Sequence, residues 1–147
     1  GAATARVLTA AGFAVVACDD RPGTLTPEWV PGVYDRRLVD YKNLAEQCPI
    51  GPRDLVVVAT AGHKSDIDVV IQAMRAKPAY LGCLGSRRKT AFVRARLEQE
   101  GFTQEQIDEL HLPIGVAIEA EDPEEIAISI AAEMIHLRRT KLVPRKR

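Results

Sequence analysis

Short runs of apolar residues alternate along this chain with longer segments in which apolar residues recur every three or four positions. The apolar runs at 13–18, 54–60 and 79–84 predict buried strands, and a further short strand is predicted near Leu38 and Val39. Strands that are apolar throughout and are linked by helices are typical of a parallel sheet covered on both faces. The pattern therefore predicts an α/β three-layer sandwich with a mostly parallel sheet.

Capping signals and helical periodicity place the helices between these strands. The predicted helices run from Gly1 to Ala11, from a Ser65-x-x-Asp68 capping box onward, from Arg87 to Glu100, from Thr103-x-x-Gln106 onward, and from about Pro123 to Arg139. The last helix opens at Asp122-Pro-Glu-Glu125 and repeats apolar residues at core spacing. We expect it to pack on the sheet.

Composition narrows the class of protein. The 147 residues are 46% apolar and 27% charged, which suits one folded domain covering residues 1–147. Basic and acidic residues number 20 each, which argues against bulk attraction to nucleic acid or a membrane. Three cysteines without metal-ligand spacing indicate reduced thiols in a cytoplasmic protein and no directly bound metal. Because the chain starts at Gly1 rather than methionine, we expect an N-terminally truncated fragment of a longer protein.

The junction after the run at 79–84 carries the strongest chemical signal. The strand breaks at Gly85 into a helix capped by Ser86, and Arg87, Arg88 and Lys89 add positive charge to its first turn. Backbone N–H groups at a helix N-terminus bind anions, and a glycine lets a ligand approach the backbone closely. The junction thus indicates a phosphate or carboxylate site. The alternative is a capped helix that binds nothing, which accounts for Ser86 but not for the glycines and cations together.

A second cluster, Asp19, Asp20 and Arg21, follows the first predicted strand. An acidic residue at that place often accepts hydrogen bonds from an adenosine ribose, and the arginine is suited to a phosphate. The alternative is that the two aspartates merely end a strand and begin a turn. These residues alone leave both interpretations open.

A third cluster, Thr60, Gly62 and His63, follows the strand at 54–60. One interpretation is that the histidine binds a ligand or transfers a proton. The alternative is that it caps a helix or packs, as a lone histidine usually does. The carboxyl ends of parallel strands meet at one edge of a sheet, where ligands bind. We therefore expect one cleft to be lined by Asp19, Thr60, His63, Gly85 and Ser86.

A series of short motifs, each occurring once, extends along nearly the whole chain. They are Gly12-Phe13 through Asp19-Asp20-Arg21-Pro22, Thr60-x-Gly62-His63-x-x-Asp66, Tyr80-x-Gly82-x-x-Gly85-Ser86-x-x-Lys89, Pro113-Ile-Gly115 and Pro123-Glu-Glu-Ile-Ala. In this arrangement the chain resembles the C-terminal Rossmann domain of the xanthine dehydrogenase accessory proteins, the XdhC/CoxI family. Its start, Gly1-Ala-Ala-Thr-Ala-Arg6, is similar to the end of a dinucleotide-binding loop. We therefore expect a Rossmann-like fold whose first strand and most of whose glycine-rich loop lie upstream.

The resemblance implies a maturation chaperone for molybdenum hydroxylases of the xanthine or CO dehydrogenase type, an accessory protein more than a catalyst. Such proteins bind the molybdenum cofactor, support its sulfuration and hand it to the apoenzyme. The implied partners are a molybdenum hydroxylase apoenzyme and a cysteine desulfurase, and a homodimer is compatible with them. The family's usual N-terminal domain, which bears a cysteine motif, is not in this chain.

The resemblance also suggests a ligand for the strand-end clusters: the molybdenum cofactor, or a nucleotide such as AMP or NAD(P). We expect the glycine–serine helix start to hold a phosphate, Arg88 and Lys89 to neutralise it, and Asp19 to hold a ribose. Thr60 and His63 then face the pterin or the nucleotide. Lys89 opposes the helix dipole, so we also expect its removal to be neutral or slightly favourable for folding.

Two other functions share these features. An NAD(P)-dependent oxidoreductase domain has the same fold and uses an acidic residue like Asp19, but should add a substrate pocket with a proton donor. A non-catalytic dimerisation module would instead use the small residues Ala127, Ala131 and Ala132 of the last helix for close packing. Cys83 lies inside an apolar strand, where cysteine usually packs as a small hydrophobic residue, so it is assigned no role.

Overall fold

Helices and strands alternate in the computed structural model, which describes residues 1–142, with the side chain of His63 outside that description. The strands are β1 (Val16–Asp19), β2 (Asp35–Leu38), β3 (Leu55–Val58) and β4 (Tyr80–Cys83). The helices are α1 (Ala2–Ala10), α2 (Leu44–Gln47), α3 (His63–Ala76), α4 (Arg87–Gln99), α5 (Gln104–Asp108) and α6 (Pro123–Leu137). Short 3-10 helices lie at Pro22–Thr24 and Tyr41–Asn43, and a π-helical turn at Arg138–Leu142. This alternation confirms the predicted α/β class.

The chain forms two compact units. Residues 1–37 and 115–142 belong to the first, and residues 38–114 form the second. Among the described residues, β1 pairs with β2 and β3 pairs with β4. The β3–β4 pair is parallel, in a register that runs from Leu55 opposite Tyr80 to Val58 opposite Cys83. The predicted parallel pairing is therefore present in the second unit.

The core of the second unit packs helices α3 and α4 with the β3–β4 pair. Its most deeply buried apolar side chains are at most 1% exposed: Val58, Val70, Val93, Leu97 and Ile107. A Cβ added to Gly82 in the middle of β4 would stand 2.5 Å from the Ile114 side chain. That position therefore needs a glycine for packing, whatever else the strand does.

The core of the first unit is the packing of α6 against α1. Ala127 and Ile130 of α6 are fully buried and Met134 is nearly so. Beyond the end of α6, the Arg138 guanidinium lies 4.1 Å above the ring of Phe13 and donates to the carbonyl of Ala11 at 3.2 Å. This hydrogen bond satisfies a carbonyl at the C-terminus of α1, where a positive charge also complements the helix dipole.

The start of α6 follows its predicted capping signal. The carboxylate of Glu125 accepts hydrogen bonds from the backbone N–H groups of Glu121 at 2.8 Å and Asp122 at 3.1 Å. These two backbone bonds lower the pKa of Glu125 below its usual value. Pro123 occupies the first turn, where its missing N–H costs nothing.

Two predicted element starts were displaced by two residues or more. Strand β1 begins at Val16 rather than Phe13, whereas β2 ends at Leu38, in the region where a short strand was predicted. Helix α3 begins at His63, so the predicted Ser65-x-x-Asp68 capping box lies inside the helix. The reason is that Gly62 is extended, with φ −162° and ψ 154°, and its carbonyl already accepts from the Asp66 N–H at 3.1 Å.

The structure also bears on two expectations, one about a membrane span and one about a dimer interface. Among the helices of residues 1–142, none combines the length and the apolar character that a bilayer span requires. Of the small residues considered for a dimer interface, Ala127 and Ala131 are buried within the first unit, and Ala132 is exposed. The first two therefore serve packing inside the chain.

Candidate functional site

The carboxyl ends of β3 and β4 lie side by side, and each strand leads into a helix. Val58 and Cys83 are partners in the parallel register, and the Leu84 N–H donates to the Val58 carbonyl at 3.0 Å. Helices α3 and α4 begin just beyond these ends, so two helix N-termini lie at one edge of the strand pair. The backbone N–H groups of two first helical turns and the positive ends of two helix dipoles are concentrated there.

Ser86 begins α4 as the sequence predicted. It is the N-cap, and its hydroxyl accepts a hydrogen bond from the Lys89 N–H at 3.3 Å. Ser86 and Arg88 are both exposed, so a hydroxyl and a guanidinium are accessible at this helix start. The arrangement has the donors that a phosphate or carboxylate needs, although anion binding itself stays a prediction.

The space beside Gly85 is used by the protein itself. A Cβ built on Gly85 would lie 2.7 Å from Cδ of Lys89 and 3.1 Å from its Cγ. The aliphatic part of the Lys89 side chain therefore crosses the position that a larger residue would fill. A glycine at this position is thus explained by the path of Lys89, a reason that the sequence did not suggest.

That path ends at a buried carboxylate, Asp66 in the first turn of α3. Asp66 is 0% exposed, and one oxygen accepts from the Thr60 N–H at 2.9 Å and from the Thr60 hydroxyl at 2.6 Å. The other oxygen forms an ion pair with the ammonium of Lys89, whose side chain is 10% exposed. The edge of the sheet thus holds a buried, hydrogen-bonded ion pair that joins α3 to α4.

Asp66 is the residue of this site that sequence reasoning missed. It belongs to the motif Thr60-x-Gly62-His63-x-x-Asp66, but no role was given to it. The spacing of six residues between Thr60 and Asp66 was the available signal, because it brings a hydroxyl to a carboxylate across a tight strand-to-helix turn. Its burial depends on Lys89, which is remote in sequence.

The remaining predicted residues of this edge are Gly62 and His63. Gly62 is the N-cap of α3, and a Cβ there would meet nothing within 4 Å. His63 is the first residue of α3, and the predicted contact of its imidazole with a ligand lies outside the described residues. The structure therefore brings Thr60, Gly62 and the start of α3 next to the start of α4.

Cys83 lies at the end of β4, fully buried, with its thiol 3.5 Å from the Leu84 carbonyl. Burial raises the pKa of this thiol to about 12, and the negative charge of Asp66 acts in the same direction while Lys89 opposes it. A thiol that stays protonated near neutral pH is a poor nucleophile. This environment agrees with the prediction that Cys83 packs as a small hydrophobic residue.

The cluster Asp19, Asp20 and Arg21 belongs to the first unit. The Arg21 N–H and Nε donate to one oxygen of Asp19 at 2.9 and 3.0 Å, and Nη2 donates to the other at 3.2 Å. Burial raises the pKa of Asp19, but the hydrogen bonds from Arg21 outweigh it and hold that pKa below its usual value. Asp19 is thus an ionised acceptor suited to a ribose, and its place in a common cleft stays a prediction.

A cavity of about 230 Å³ lies at the amino end of β4, away from the candidate site. It is lined by residues of the α3–β4 turn, β4 and α5, among them Lys77, Tyr80 and His111. The rings of Tyr80 and His111 lie 4.6 Å apart. None of the residues predicted to bind a ligand lines this cavity, so the candidate site remains the carboxyl edge of the strands.

Comparison with known proteins agrees with this fold. The model of the XdhC Rossmann domain family matches residues 1–134. A solved structure described as a xanthine dehydrogenase from Bacillus halodurans superposes with a TM-score of 0.82 and 28% identity, over 95% of this chain and 40% of that chain. The Rossmann-type fold expected from the sequence is confirmed.

Three curated proteins are similar in sequence. YqeB of Escherichia coli strain K12 is 32% identical over 128 residues, covering 86% of this chain and 23% of that protein. The molybdenum cofactor insertion chaperone PaoD of the same strain is 28% identical over 105 residues, covering 71% and 33%. A protein of Bacillus subtilis strain 168, named as a probable xanthine dehydrogenase component, is 28% identical over 128 residues, covering 87% and 37%. The chain therefore spans less than two fifths of the length of these relatives.

Proposed function

This chain belongs to the XdhC Rossmann domain family, and from that premise we propose that it serves in the maturation of molybdenum hydroxylases. The observation that carries the proposal is the family match over residues 1–134, together with the similarity to a molybdenum cofactor insertion chaperone. Because the chain spans 33% of that chaperone, we propose this domain as one part of the machinery. Sulfuration by a cysteine desulfurase and delivery to the apoenzyme are proposed for the longer protein.

The proposed ligand site is the carboxyl edge of β3 and β4. A phosphate, from the molybdenum cofactor or from a nucleotide such as AMP or NAD(P), fits the start of α4, where Gly85, Ser86 and Arg88 offer backbone N–H groups, a hydroxyl and a guanidinium. Thr60 and the start of α3 would face the rest of the ligand. The molybdenum cofactor is then cargo, which this domain holds and orients without reacting with it.

The pair of Asp19 and Arg21 in the first unit is a candidate contact for a nucleoside. The Asp19 carboxylate is ionised and already shared with Arg21, so a ribose hydroxyl would use its remaining acceptor positions. Asp20 lies beside them, with one carboxylate oxygen 3.9 Å from Nε of Arg21. We propose that these residues of the first unit form a contact for a nucleoside.

A maturation assay tests the proposed role. A strain lacking the gene is complemented with the full-length protein, and the activity and molybdenum content of its hydroxylase are measured. Ser86→Ala and Arg88→Gln should each lower the fraction of active hydroxylase, because both remove a phosphate donor at the start of α4. The matched control is Arg94→Gln, which makes the same charge change further along α4, where Arg94 pairs with Asp108. Full hydroxylase activity without the gene would contradict the proposal.

Binding measurements identify the ligand class. The purified protein is titrated with molybdenum cofactor, AMP and NAD(P), and each variant is tested for folding by circular dichroism. Loss of a charge-assisted hydrogen bond in Arg88→Gln should weaken binding by about tenfold or more. Binding of NAD(P) accompanied by hydride transfer would replace the maturation role by an oxidoreductase. If Ser86→Ala and Arg88→Gln both bind every ligand with unchanged affinity, the start of α4 is not the binding site.

A further inference from the structure

The positive charge of Lys89 is already used inside the protein. Its ammonium forms an ion pair with the fully buried Asp66, and the side chain is only 10% exposed. Its aliphatic part lies across Gly85, which holds the ammonium on the side of α3. The neighbouring residue Arg88 is exposed at the same helix start. Of the three cations in the first turn of α4, Arg87 and Arg88 are therefore exposed, whereas Lys89 is held in an ion pair.

From this difference we infer that Arg88 contacts the bound anion, whereas Lys89 is a positioning residue that acts through Asp66. The inference rests on the anion site of the proposed function and assigns separate roles to Arg88 and Lys89. It changes the role expected from the sequence, in which both residues neutralise the ligand directly.

Direct contact by Lys89 would require a costly exchange. The Lys89 side chain is only 10% exposed, so its ammonium would have to turn away from Asp66 to meet an anion in solvent. A buried carboxylate whose cation is withdrawn is strongly unfavourable. The two hydrogen bonds from Thr60 would remain, but they carry no full positive charge. Arg88 meets an anion without such an exchange, because it is exposed to solvent.

The positioning role follows from what Asp66 holds. Its carboxylate accepts both the backbone N–H and the hydroxyl of Thr60, which fixes the turn between β3 and α3. Lys89 cancels the negative charge of Asp66 beside two helix N-termini. Without Lys89, that charge would repel an anion bound at the start of α4.

The test compares a single with a double variant. AMP is the probe, and its affinity for the full-length protein is measured by calorimetry at several salt concentrations. Lys89→Met leaves Asp66 unpaired, whereas Asp66→Asn combined with Lys89→Met leaves no unpaired charge and keeps an oxygen acceptor for Thr60. Arg88→Gln is the comparison for a direct contact. Circular dichroism establishes a temperature at which every variant is folded.

The inferred roles predict a rescue. Lys89→Met should weaken AMP binding by about tenfold, and the double variant should recover to within about threefold of the wild type. Arg88→Gln should weaken binding and flatten its dependence on salt, while the double variant keeps the wild-type salt dependence. If Lys89 touches the anion, the double variant will bind as weakly as Lys89→Met and with a flatter salt dependence, which overturns the inference.

The two proposals fail separately. If the wild-type protein does not bind AMP, the division of roles between Arg88 and Lys89 is overturned, but the maturation assay still decides the function. If the double variant is rescued while the hydroxylase matures normally without the gene, the roles stand and the maturation function is rejected.

Discussion

Replacement of Lys89 by methionine should destabilise the fold, because it removes the ammonium but keeps an apolar side chain over Gly85. The carboxylate of Asp66 is 0% exposed and would lose its cation. Removing one partner of a buried ion pair costs about 3–5 kcal/mol. Since Thr60 continues to donate two hydrogen bonds to Asp66, the low end, about 3 kcal/mol, is expected. For a domain of this size that corresponds to about 6–12 °C in Tm.

Urea unfolding followed by far-UV circular dichroism measures this loss. The matched control is Arg88→Met, which makes the same change one residue earlier at an exposed position and should alter the free energy of unfolding by less than about 0.5 kcal/mol. The double variant Asp66→Asn/Lys89→Met should recover much of the loss, because no unpaired charge remains.

A result in which Lys89→Met is as stable as Arg88→Met would refute this reasoning, since it would mean that the pair with Asp66 contributes nothing in solution. The expected destabilisation also revises the sequence-based view that removal of Lys89 is neutral for folding. That view considered the helix dipole alone, and the ion pair with Asp66 is the larger effect.

Cys83 should resist iodoacetamide at pH 8 until the protein unfolds, because burial raises the pKa of its thiol to about 12; pulsed alkylation with mass spectrometry measures this. The unfolded thiol ionises near pH 9.0 while the folded one keeps its proton, so urea melts should show stability falling above pH 9.0, an effect that Cys83→Ala removes. Gly82→Ala should cost about 1–3 kcal/mol by overpacking, whereas Gly62→Ala, which meets no neighbouring atom, should cost less than about 0.5 kcal/mol by the same melts. The lowered pKa of Asp19 stabilises the fold above its ordinary pKa of 3.8, and this stabilisation is lost as the pH falls below that value; Arg21→Gln should flatten the acid limb, and an unchanged limb would contradict the pairing.

Local sequence signals located most elements and several helix starts. The apolar run around β4 and the Ser86 cap of α4 were found because both depend on adjacent residues only. The start of α3 was misplaced because adjacent residues can also carry a misleading signal. Ser65 and Asp68 have the spacing of a capping box, whereas the true start at His63 is set by the extended backbone of Gly62, which leaves no side-chain signal.

The candidate site contains features that could not be predicted from a single sequence. Gly85 was interpreted as room for a ligand, but the neighbouring atoms belong to Lys89. Asp66 was passed over because its burial depends on a lysine 23 residues further along. Residue types indicate which chemistry is possible at a strand end, but which cation is already neutralised is decided by contacts between separate helices.

The pairing of α1 with α6 has a consequence for the order in which the chain can fold during synthesis. The second unit is one continuous segment, residues 38–114, so all of its helices and strands have been synthesised before α6 begins. Helix α1 is made before the second unit, and its Ala5 packs with Val30 and Val33 of the same unit. The face of α1 that contacts α6 stays uncovered until α6 has been made. Contacts between segments so distant in sequence form late, because a long intervening chain has to be closed first. On the ribosome, the face of α1 that packs on α6 is therefore left exposed while residues 38–114 are synthesised, and protection by other proteins would act on it during that time.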